Sequence, residues 1–102
     1  MQQTNLKEFK IKLPIDVIES ISDKEIVNLL INKALTKAEY YQSKSQEMEE
    51  KHGAGFETFK KKIDESEEEK IKEWDDLLLW EGYILGYKEW KKKYEGLRYC
   101  IE

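Results

Sequence analysis

Four residue types are nearly missing from this chain: it has one cysteine (Cys100), one proline (Pro14), one histidine (His52) and one arginine (Arg98) in 102 residues. A single Cys excludes an intrachain disulfide and fits a reducing compartment. One Pro and five Gly leave few points at which a helix must stop, which favours long helices over a many-stranded sheet. Arginine is the residue best suited to bidentate contact with phosphate and base edges, so one Arg among 18 basic residues argues against a dedicated nucleic-acid binder, as does the net charge of −4. No apolar run reaches 18 residues, no basic segment leads into an apolar one at the start, and no Gly-rich phosphate loop is present. The expectation is therefore a cytoplasmic protein with no membrane contact.

Charge and aromatic rings, by contrast, are plentiful. Charged residues make up 39% of the chain, and three Trp, six Tyr and three Phe supply large burial per residue, which separates it from a disordered tail. The length suits one continuous domain. Residues 6–13 (LKEFKIKL) alternate apolar Phe9, Ile11 and Leu13 with charged neighbours, the period of a half-buried strand that Pro14 ends. The next stretch, IDVIESI, predicts a helix of about two turns. Ser22 and Glu25 stand at capping-box spacing before a helix expected from Asp23 to about Lys51, with a stripe of Ile26, Leu30, Ala34, Tyr41 and Met48. Gly53 is placed to end it, and Phe56, Phe59 and Ile63 mark a short third helix. A last helix over about 67–99 carries Trp80, Tyr83, Tyr87, Trp90, Tyr94, Leu97 and Ile101 at alternating intervals of three and four, the seam of a coiled coil. Before Trp80 the apolar set shifts to Ile71, Trp74, Leu77 and Leu78, so this helix is apolar over more than one seam needs. Gly82 and Gly86 lie one turn apart and allow another backbone to approach. The fold expected is mainly α: a long antiparallel helical hairpin with a short crossing helix and one N-terminal β-strand. An isolated strand has unmatched backbone groups, so a homodimer joined through it is also expected.

FKIKLP followed by IDVIESI and SDKEIVNLLINKAL resembles the ribbon-helix-helix module, and related N-terminal modules, of antitoxins from prokaryotic type II toxin–antitoxin systems. The likeness covers residues 6–35, and the first helix is shorter than the module's own. It implies that strands pair across a dimer, with Phe9, Ile11 and Leu13 in the dimer core and Lys10 and Lys12 facing DNA. The acidic total charge makes that DNA contact weak at best. The stretch EWDDLLLWEGYILGYKEW is similar to the ending of small bacterial and archaeal antitoxins, in which this part blocks a toxin, often a ribonuclease with a basic cleft. Residues 64–81 hold nine acidic residues and two Lys, a net −7, beside large apolar side chains. Acidic residues at a helix start and basic ones at its end (Lys88, Lys91, Lys92, Lys93 and Arg98) also suit the helix macrodipole with no partner at all. On this reading residues 1–37 form a dimerising and DNA-contacting region and 38–102 a partner-binding hairpin. Trp74, Asp75, Asp76, Leu77, Trp80, Tyr83, Tyr87 and Trp90 are the expected contacts to a cognate toxin.

Two other classes remain open. Glu47-x-x-Glu50 and Glu73-x-x-Asp76 on facing helices resemble the carboxylate cage of all-helical nucleotide pyrophosphatases and could hold Mg²⁺, but 22 acidic residues produce such pairs by chance. A helical adaptor without DNA binding is the other. Glu49-x-x-His52 is half of a di-iron motif whose second half needs another His. His52 better suits the end of a helix, where an imidazolium meets the dipole. Cys100 has no His near it in sequence to activate it. The expectation is a non-enzymatic antitoxin with no cofactor and no metal.

Overall fold

The computed structural model describes residues 5–66 and 71–100. Among them the chain forms four helices: α1 (Ile15–Ser20), α2 (Asp23–His52), α3 (Phe56–Asp64) and α4 (Ile71–Arg98). α2 starts where Ser22 Oγ accepts the Glu25 backbone N–H at 3.1 Å, satisfying one of the donors a helix start leaves over. It ends at Gly53, whose φ of +64° is the left-handed conformation that a glycine adopts without strain. α3 follows after three residues and presents Phe56, Phe59 and Ile63 along one edge.

α2 and α4 pack side by side and antiparallel: Ser45 meets Trp80, Tyr41 meets Gly86, and Ala34 lies across a groove from Trp90. Their seam on α2 runs through Ile31, Ala34, Ala38, Tyr41, Ser45, Met48 and His52, all buried or half-buried at alternating intervals of three and four. Ala38, Ser45 and His52 thus complete the stripe expected from sequence, whereas Leu30 turns outward and is exposed. On α4, Trp80 is buried and Tyr83, Tyr87, Trp90, Tyr94 and Leu97 are half-buried, as the seam spacing requires; Ile101 lies outside the described residues. The glycine at 86 is needed: a Cβ there would meet the Tyr41 ring at 2.9 Å. Met48, Phe59, Ile63, Leu77 and Trp80 form the main core at the turn end, where α3 closes over the hairpin.

The expected N-terminal strand is absent, which corrects the mixed fold to an all-α one among the described residues. Residues 5–14 form neither helix nor strand. Alternating side chains alone do not make a strand; a ladder partner does, and the other described residues supply helices with no open edge. Consistent with that, Phe9 and Ile11 lie exposed rather than against a core, and α1 buries none of its residues. Lys10 and Lys12 accordingly sit on an exposed arm, and no strand aims them into a groove.

Candidate functional site: the outward face of α4

The first half of α4 has two apolar faces. At 100° per residue, Leu77, Trp80, Ile84 and Tyr87 point into the seam, while Ile71, Trp74, Leu78, Gly82 and Leu85 fall in a sector of about 80° on the opposite side. Exposure agrees with the geometry: Ile71 is 70% exposed, Leu78 64%, Leu85 58% and Trp74 44%, against 3% for Leu77 and 1% for Trp80. The outward stripe rises about 21 Å over its 14-residue span. Asp75 and Glu81 flank it, both exposed and neither engaged in an ion pair among the described residues. A continuous stripe of large apolar side chains with acidic flanks is the form of a protein-docking surface.

The eight expected contact residues therefore separate into two groups. Trp74 and Asp75 lie on the outward surface. Leu77 and Trp80 are core residues, and the Trp80 indole N–H donates to Ser45 Oγ at 2.9 Å, so its polar edge is satisfied inside the fold. Tyr83, Tyr87 and Trp90 line the seam. Tyr83 packs against Tyr41 at 6.4 Å between ring centroids, and Lys93 lies 4.3 Å from the Trp90 ring centroid. Trp90 and Leu97 also border an open groove of about 860 Å³ with Leu6, Leu30 and Ala34.

Asp76 does structural work within the fold. Its Oδ2 accepts from Lys51 Nζ at 2.8 Å and lies 2.9 Å from His52 Nε2, while the His52 ring stacks on Phe59 at 3.9 Å. The bond from Lys51 holds the Asp76 carboxyl below its usual value; partial burial opposes this and the His52 contact adds to it. His52 thus closes α2 and pins it to α4. This arrangement takes Asp76 out of any carboxylate cage. Glu47 bonds Lys44 at 3.3 Å on the surface, and no group of three or more His, Cys, Asp or Glu side chains converges among the described residues.

Leu78 and Leu85, together with Leu79, which is also exposed, were not expected as contacts. The signal lay in the spacing 71, 74, 78 and 85, a helical stripe out of phase with Trp80. No helix among the described residues is long and apolar enough to cross a membrane. No protein-family model, curated protein or solved structure matches this chain.

Proposed function

We propose that this chain is a protein-binding subunit, the antitoxin of a toxin–antitoxin pair, whose outward α4 stripe docks on a basic protein of ribonuclease type. The observation that carries the reading is the second apolar face of α4. Its own hairpin needs one stripe per helix, and the seam already fills that need. Four large apolar side chains left in water along the opposite side represent several kcal/mol of burial, at about 1.5–3 kcal/mol for each fully covered side chain, which a partner would realise. Asp75 and Glu81 beside the stripe favour a basic partner by steering encounter and orientation, while the aromatic and aliphatic anchors hold the complex together. The sequence likeness to antitoxin endings falls on this same segment.

The test is growth rescue in cells that express the neighbouring gene together with this chain. Trp74→Ala and Leu78→Asp should lose protection while keeping wild-type helicity, and Asp75→Asn with Glu81→Gln should slow association without abolishing protection. Full protection by the folded Leu78→Asp variant would place the docking surface elsewhere. A neighbouring gene that is harmless on its own would overturn the antitoxin reading.

A further inference from the structure

Gly82 lies between Leu78 and Leu85 in the outward stripe, and among the described residues nothing explains it. A glycine in a helix interior weakens that helix. At Gly86 the reason is visible in the Tyr41 ring, but a Cβ at Gly82 would meet no atom within 4 Å. The space above Gly82 is open solvent, bordered by Leu78 and Leu85, which makes a notch where another helix can come close.

The charges along α4 identify what fits there. Residues 71–81 carry four acidic groups and one Lys, a net −3; residues 83–93 carry four Lys and one Glu, a net +3. The two halves are equal and opposite in net charge about Gly82, although Asp75 mirrors Glu89 and Lys72 mirrors Lys92. We infer that the outward face of α4 pairs with the same face of a second copy, antiparallel, with the two Gly82 residues at the crossing point, so that Leu78 of each copy meets Leu85 of the other while Ile71 and Trp74 lie opposite positions 93 and 90. A two-fold axis through Gly82 lays the acidic half of each copy along the basic half of the other. Flanks match as well. At 100° per residue Asp75 and Lys93 lie on one side of the stripe, and Glu81, Lys88 and Lys92 lie on the other. In an antiparallel pair like flanks meet, so Glu81 comes within about a turn and a half of Lys88 of the second copy, and Asp75 within about one turn of its Lys93, which also bonds Glu89 of its own chain at 3.0 Å. Glu81, Asp75, Lys88 and Lys92 make no ion pair within the described residues. A parallel pair would instead set acid against acid.

This pairing uses the surface assigned above to a partner protein, so a second copy and the partner exclude one another, yet the pairing needs no partner in order to exist. The interface is a single helix face, which places the dimer among weak ones, with a dissociation constant on the order of 10–100 µM.

Sedimentation of the full chain from about 1 to 500 µM should show a reversible monomer–dimer equilibrium, weakened by salt and shifted at least tenfold toward monomer by Leu78→Asp. Orientation is read by cysteine oxidation. Cys100 is exposed and lies about 27 Å along α4 from Gly82, so in the antiparallel dimer the two Cys100 thiols are about 54 Å apart and cannot join. Gly82→Cys in a Cys100→Ser background should form a disulfide-linked dimer rapidly, because the crossing point brings two Cα atoms within disulfide range. Wild type under the same oxidant should stay largely uncrosslinked. A monomer at every concentration, a dimer indifferent to Leu78→Asp, or crosslinking through Cys100 as fast as through Gly82→Cys would each overturn the proposal. None of these results would touch the partner-binding reading, which stands or falls on protection by the folded Leu78→Asp variant.

Discussion

Trp74 and Trp80 lie six residues apart on one helix and should respond to the same substitution in opposite ways. Trp80 is 1% exposed, contacts the core cluster and three neighbouring rings, and donates to Ser45. Replacing a buried Trp by Ala typically destabilises by about 3–5 kcal/mol through lost transfer energy and the residual cavity. The loss of the Ser45 contact falls within that range. A domain of this size has a total stability of roughly 5–15 kcal/mol, and the seven buried apolar side chains among the described residues are a small core. At about 4–8 °C per kcal/mol, the melting temperature of Trp80→Ala should fall by at least ~12 °C, and part of the protein should be unfolded at 37 °C. Trp74 is 44% exposed and enters none of the ring contacts. Its truncation should alter stability by about 0.5 kcal/mol or less, as an ordinary surface change does. Thermal unfolding followed by circular dichroism at 222 nm separates the two cases, and iodide quenching of the remaining indoles checks exposure independently. Equal destabilisation by the two variants would refute the assignment of inward and outward faces on α4. A Trp80→Ala protein melting within ~4 °C of wild type would refute the core.

The remaining predictions concern the contacts that join the helices. Ser45→Ala leaves the buried indole N–H without its acceptor and should destabilise by about 1–2 kcal/mol in chemical denaturation, an effect absent in a Trp80→Phe background. Asp76→Ala should lower stability by about 1–2 kcal/mol by unpairing the largely covered His52 ring. Because the Asp76 carboxyl is held below its ordinary value of 3.8, its contribution is fully present above that value and is lost as pH falls through the lower folded one. Acid titration of stability should therefore be flatter below pH 4 in Asp76→Ala than in wild type. Gly86→Ala should destabilise because its Cβ meets the Tyr41 ring, whereas Gly82→Ala should stabilise the monomer by up to about 1 kcal/mol in thermal unfolding, through helix propensity alone.

Much of the hairpin was legible in advance because its signals are local. The Ser22–Glu25 spacing, the glycine at 53 and the edge of Phe56, Phe59 and Ile63 each act within a few residues, and the three-and-four spacing from Trp80 onward set the phase of α4. Counting back from Trp80 in that phase reaches Leu77 and then Glu73, which passes over Trp74, so its outward position was already implied by the spacing. The strand over residues 6–13 failed for the converse reason. Alternation is a local property, but a strand exists only through a partner that sequence period cannot supply. The Asp76–Lys51–His52 cluster was equally out of reach, since it joins residues about 25 positions apart and depends on the register of α2 against α4. The likeness to antitoxin endings assigned Asp76 and Trp80 to the binding surface; the register places Trp80 in the core and Asp76 in a half-buried ion pair.

The claim that α4 offers its outward stripe to a basic protein is tested most directly by co-purification from the native host. Wild type, Leu78→Asp and a control substitution on the exposed face of α1, Ile18→Asp, would be used as baits at matched expression. We predict that wild type and Ile18→Asp retain the same basic protein in stoichiometric amount and that Leu78→Asp loses it. Retention of that protein by folded Leu78→Asp would contradict the account.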